Sequence, residues 1–113
     1  MKKFIVIYHA PVTAVMEMAK ATPANQAKGM QAWMMWAKKC GSQLVDMGAP
    51  LANGIQLGAD GKTKLSDKNT VGYSILLAKS MDDAKALMAG HPHLSTNAAC
   101  CIEIHETMQI PGM

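Results

Sequence analysis

The chain has 113 residues, half of them hydrophobic and 17% charged, which is enough for one domain with a core and excludes a disordered chain. Its net charge is +3, yet all eleven basic residues are lysines, scattered with no basic stripe among five aromatic residues; without the planar fork of arginine this speaks against nucleic-acid binding. No stretch is long and apolar enough to span a bilayer, and three cysteines, two of them adjacent and none in a C-x-x-C, read as free thiols in a reducing, cytoplasmic setting.

In chain order, KKFIVIYH (2–9) is rich in β-branched and aromatic residues and predicts a strand rather than a leader, apolar on both faces. A short helix follows Pro11. Thr22-Pro23 opens the main helix, since Thr caps well and Pro suits the first helical position. Ala27, Met30, Trp33, Met34, Ala37 and Cys40 form its apolar stripe, with Met35 and Trp36 off the centre, and Gly41 ends it. Residues 42–51 predict a second strand ending in a Gly-Ala-Pro bend. GIQLGADGKTKLSD then predicts a hairpin turning at Asp60-Gly61, and TVGYSILLAK (70–79) another strand that is apolar on both faces. Ser80 caps a helix with Asp82 and Asp83 in its first turn and Ala84, Leu87 and Met88 facing inward. Gly90 closes it, His91-Pro92-His93 is a loop after the helix, and residues 98–107 form the last strand.

With the hairpin merged into its neighbours the order is βαββαβ: an α+β, ferredoxin-like antiparallel sheet with both helices on one face, over residues 1–113 as one domain. Two helices cover one face only, whereas strands 4–8 and 71–77 are apolar on both. The expected solution is a homodimer in which two sheets pack face to face and enclose space for a small molecule.

His9 shares strand parity with Ile5 and Ile7, and Glu103 shares parity with His105 on the last strand, leaving Ile102 and Ile104 to face the helices. A histidine beside a carboxylate has the fixed tautomer that a general base needs. Each histidine also fits a structural role: a solvated strand face for Glu103 and His105, a backbone partner for His9, a helix end for His91 and His93. His91, His93 and His105 match no compact zinc spacing, so neither a metal nor another cofactor is expected. Ser95, Cys100 and Cys101 lie in no nucleophile signature, GADGK is no phosphate loop, and Trp33 and Trp36 read as core and dimer anchors.

The stretches YHAP (8–11), TP (22–23), MQAWMMWAKKCG (30–41), LVDMGAPL (44–51), ADGK (59–62), VGYSIL (71–76), GHPHL (90–94) and IEIHE with IPGM (102–113) together resemble the YCII-related, DGPF-domain family over nearly the whole chain. The resemblance implies a dimeric α/β-barrel type of ferredoxin-like fold and a small-molecule enzyme role, including lyase-like chemistry on chlorinated aromatic substrates. It also implies a His-Asp pair in a cleft, for which Asp46 and one of the four histidines are the nearest counterparts. No histidine lies between residues 10 and 90, and DMGAPL stands nearest to the DGPF signature.

The expectation is therefore a lyase- or isomerase-type enzyme acting on a small organic molecule. Proton transfer falls to His105 or His9, oriented by Glu103 or Asp46, with His91, His93 and Tyr73 binding the substrate. The alternative is a non-catalytic small-molecule-binding or accessory module of the same fold.

Overall fold

The computed structural model describes residues 1–112. Strand β1 (Lys2–His9) leads into helices α1 (Val12–Ala19) and α2 (Pro23–Cys40), a 3₁₀ turn (Gly41–Gln43) and the short strand β2 (Leu44–Asp46). The hairpin β3 (Ile55–Leu57) and β4 (Thr63–Leu65) comes next, then β5 (Thr70–Ala78), α3 (Met81–Met88), the single turn α4 (His93–Thr96) and β6 (Cys101–Glu106). Strands β2-β5-β1-β6 make one antiparallel sheet, with Phe4 opposite both Leu76 and Glu106. That order is the ferredoxin-like arrangement expected from the element pattern.

The pleat decides what is buried. Phe4, Val6 and Tyr8 on β1, with Ser74, Leu76 and Ala78 on β5, point under the helices and lose all but a trace of their exposure. They pack with Trp36, Cys40, Ala84 and Met88, and Ile102 and Ile104 join them from β6 as the parity of that strand requires. The opposite parity, with Ile5, Ile7, His9, Tyr73, Ile75 and Leu77, is only half-buried. The molecule is a slab about 20 Å thick, which is one sheet and one layer of helices.

The caps form as their residues dictate. Thr22 Oγ1 accepts the Asn25 N–H at 3.2 Å and Ser80 Oγ accepts the Asp83 N–H at 3.2 Å. Gly41 stops α2 at φ 58°.

Three expectations are corrected. The hairpin does not merge with its neighbours: β3 and β4 form a separate two-stranded sheet. The apolar arc of α2 is turned from the expected stripe. Trp36 and Cys40 are its buried residues and Met30 and Met34 lie more than half exposed, because Trp36 also reaches the Leu87 carbonyl with its indole N–H at 2.9 Å. The second strand is three residues long, since Gly48 at φ 80° turns the chain away after Asp46.

A Cβ on Gly48 would lie 1.7 Å from the carbonyl oxygen of Tyr73, in addition to the strain of its positive φ. Gly48→Ala is expected to cost at least ~3 kcal/mol in urea unfolding. Gly29, in the middle of α2, gives the control, because a Cβ added there would meet nothing within 4 Å. Gly29→Ala should stabilise by ~0.5–1 kcal/mol.

Candidate functional site

Residues 8 and 9 point to opposite sides of the sheet, and each organises a cluster. On the helix side, Tyr8 is 1% exposed and its hydroxyl lies 2.7 Å from Ser74 Oγ. Ser74 Oγ donates its only proton to the Met47 carbonyl at 2.7 Å, so Tyr8 donates to Ser74. His91 sits 3.4 Å from the Tyr8 oxygen through Nε2, and its Nδ1 accepts the backbone N–H of His93 at 3.0 Å. An accepting Nδ1 puts the proton on Nε2. The chain of donors therefore runs one way, from His93 N–H to His91, Tyr8, Ser74 and Met47.

An aromatic box holds His91. Trp33 and Trp36 meet it edge-to-face at 4.3 and 4.4 Å, and Tyr8 stacks on it at 5.1 Å. Burial, with a smaller contribution from His93, pushes the His91 pKa down to about 4, so the ring is neutral at physiological pH. Burial pushes Tyr8 up to about 12 against the lowering effect of the Ser74 hydrogen bond, so the phenol keeps its proton.

His93 follows at 4% exposure. Its Nε2 donates to the His9 carbonyl at 2.8 Å, which fixes the neutral tautomer with the lone pair on Nδ1. That ring lines a cavity of about 280 Å³ between the sheet, α1, α2 and the 47–50 bend, together with Tyr8, Trp33, Met18, Met30 and Met47. The cavity wall is apolar apart from a few groups, as small-molecule sites usually are.

On the open face, His9 Nδ1 donates to the Lys68 carbonyl at 2.8 Å and Nε2 lies 3.0 Å from Glu103 Oε1. His105 Nε2 reaches the same Glu103 oxygen at 3.3 Å. Hydrogen bonds from His9 and then His105 hold the Glu103 carboxyl below its ordinary value. Both ring nitrogens of His9 face acceptors, the Lys68 carbonyl and the Glu103 carboxylate, so neither is turned to open space. A shallow groove of about 640 Å³ runs beside this cluster.

The structure thus brings His9, Glu103 and His105 together as their parities suggest. It does not bring Asp46 to a histidine: Asp46 Oδ1 accepts the Gly48 N–H at 2.8 Å and Oδ2 takes the Tyr73 hydroxyl at 3.5 Å. It also separates His91 and His93, which the sequence assigned alike to substrate binding. His93 lines the cavity, as does Tyr73, whereas His91 is sealed behind it among the indoles. Residues 93–96 are helical, and that turn carries the His93 ring inward to the His9 carbonyl. Sequence reasoning missed Tyr8, Ser74 and the cavity role of Trp33; the one available signal was a tyrosine on the buried parity of β1, whose hydroxyl needs a partner. Among the described residues no group of three or more His, Cys, Asp or Glu is arranged to hold a metal ion. Burial also raises the thiols of Cys40 and Cys100, which keeps both protonated.

The buried neutral His91 sets a pH dependence. Its pKa falls from an ordinary 6.5 to about 4 on folding, so the unfolded chain gains a proton first as pH drops. Stability should be unaffected above pH 6.5 and fall by ~3 kcal/mol as pH goes from 6.5 to 4, measured by urea unfolding. His91→Gln should flatten that window. Glu103, which loses its contribution at lower pH, is common to both proteins and cancels in the difference.

No protein-family model and no curated protein matches the chain. Among solved structures it is similar to 5-chloro-2-hydroxyhydroquinone dehydrochlorinase (TftG) from Burkholderia phenoliruptrix AC1100, in complex with 2,5-dihydroxybenzoquinone. The TM-score is 0.50, at 17% identity over 91% of each chain. What the two chains share at that identity is the fold: a four-stranded antiparallel ferredoxin-like sheet with its helices on one face.

Proposed function

We propose that this protein is a small-molecule enzyme of the lyase or isomerase type, a cytoplasmic homodimer in which His93 moves a proton inside the cavity beside Tyr8 and Trp33. The observation that carries this reading is the His93 ring: its Nε2 is committed to the His9 carbonyl, and its Nδ1 has no hydrogen-bond partner among the described residues in the apolar cavity that it lines. An imidazole that is anchored through one nitrogen and turns the other into an apolar pocket has the form of a general base. His9 and His105, the first candidates from the sequence, suit that task less well, since both are turned to Glu103 on the open face. His9 acts here as a positioning residue through its carbonyl, and Glu103 and His105 hold its ring in place.

The substrate class follows from the walls. Trp33 and Tyr8 supply aromatic surface, three methionines supply adaptable apolar contact, and the His93 imidazole supplies a polar group. A single flat ring with polar substituents suits that space. Elimination from such a ring needs a base to take one proton while a leaving group departs with its bonding pair; the proton then passes to solvent. That a protein of similar fold is a dehydrochlorinase, in complex with 2,5-dihydroxybenzoquinone, supports the choice of class. The half-buried aliphatic residues Ile5, Ile7, Ile75 and Leu77 on the open sheet face support the dimer, and three free thiols suit a reducing compartment.

Titration with 2,5-dihydroxybenzoquinone, followed by tryptophan fluorescence, should quench saturably, and Met30→Trp, which fills the cavity, should abolish the response. A panel of chlorinated hydroquinones assayed for chloride release should show turnover that falls at least ~100-fold in His93→Gln. Quenching without chloride release would make the protein a binding module; no saturable quenching would remove the cavity from consideration.

A further inference from the structure

We infer that the β3–β4 hairpin is an arm that grips a second copy of this chain, beyond any pairing of the two open sheet faces. The hairpin is well built. Ile55 pairs with Leu65, Gln56 with Lys64 and Leu57 with Thr63. Its tip is tied by Gly58 N–H to the Lys62 carbonyl at 2.8 Å and by Asp60 Oδ1 accepting the Lys62 N–H at 2.9 Å. Alternation places Ile55, Leu57 and Leu65 on one face and Gln56 and Lys64 on the other, so the arm is amphipathic. Yet Ile55, Leu57 and Leu65 are 65, 69 and 79% exposed, and every residue from 51 to 70 is exposed. A lone two-stranded hairpin is marginal in water. One that keeps a regular register and an aliphatic face is explained by something that covers that face.

The size of the molecule identifies the cover as another copy. A compact monomer of 12.1 kDa exposes about 6,000 Å², and this chain exposes 8065 Å². The excess of about 2,000 Å² lies in the range that one subunit of an obligate homodimer buries. The radius of gyration is 15.7 Å, against about 13 Å for a compact chain of this length. A bare sheet face adds exposed area without lengthening the molecule, whereas an arm does both, and the long axis reaches 50 Å against a thickness of 20 Å. The root of the arm adjoins the open face, because the Lys68 carbonyl takes the Nδ1 hydrogen bond of His9. The arm thus springs from the edge of the open face, where a second copy on that face lies within its reach.

Hydrogen exchange and sedimentation equilibrium on the full chain test this. The chain should sediment as a dimer, and amides 55–65 should become protected as protein concentration rises through the dimerisation range. Leu57→Glu combined with Leu65→Glu should weaken the dimer at least ~30-fold and leave the near-ultraviolet signal of Trp33 and Trp36 unchanged. A wild-type dimer whose arm exchanges at the same rate at every concentration would overturn the inference and leave the sheet pairing standing. So would a double variant that dimerises as tightly as wild type. A monomer at every concentration would overturn both.

Discussion

Tyr8 and His9 are neighbours in the chain and stand on opposite sides of the sheet, because a pleated strand alternates its side chains. The whole arrangement depends on that constraint. Tyr8 enters the layer between sheet and helices, where its hydroxyl joins Ser74 and His91. His9 turns to the open face and meets Glu103. The two layers still communicate through the backbone, since the carbonyl of His9 is the acceptor that orients His93 in the cavity. A shift of one residue in the register of β1 would exchange the two sides and leave a phenol on the open face and an imidazole in the core.

The polar groups placed under the helices are tolerable because they are complete. A buried donor or acceptor left unmade costs ~1–3 kcal/mol, and among the described residues every side-chain nitrogen or oxygen that is fully shut off, with no access from a cavity or from outside, has a partner. The single direction of the chain from His93 to Met47 means that each group has one role only. Two features enforce it: Ser74 has one proton to give and Met47 offers only a carbonyl. The low pKa of His91 and the high pKa of Tyr8 act the same way, for both groups are held neutral by burial. A charge on either would disrupt a bond in the sequence, so this core fixes the geometry of the cavity wall.

Much of the fold could be read from the residues. The double-sided apolar character of KKFIVIYH and TVGYSILL pointed to the central strands, Thr22 and Ser80 to the caps, and the parity of Ile102 and Ile104 to the buried side of β6. The site was less legible. The meeting of His9, Glu103 and His105 follows from strand alternation, which is local; the cavity depends on how α2 rolls on the sheet, which is not. That roll is set by Trp36 finding the Leu87 carbonyl, 51 residues away, and it moves Trp33 to the cavity wall. His91 and His93 looked equivalent because a tripeptide around proline says nothing of direction. A helical turn at 93–96 separates them, one behind the wall and one on it. The hairpin misled for the opposite reason: its turn was plain in Asp60-Gly61, but nothing local states whether two strands join a sheet or leave it.

The methionines bear on what such a cavity can select. Met18, Met30 and Met47 supply flexible, polarisable wall on three different segments. A wall of that kind adapts to shape and discriminates poorly by it, since a missing or added methylene is worth only ~1–3 kcal/mol even in a well-formed apolar pocket. Selection must therefore rest on the rigid parts. Trp33 is held against Tyr8 and His91 at fixed angles and offers a flat surface. His93 is clamped at one nitrogen and presents the other. A flat molecule with a hydrogen-bonding substituent at its rim satisfies both, whereas an aliphatic molecule of equal volume fills the space but leaves the imidazole unpaired. Unpaired polar groups are the strong discriminators in buried sites, so under the proposed function the one histidine on the wall would govern specificity as well as proton transfer.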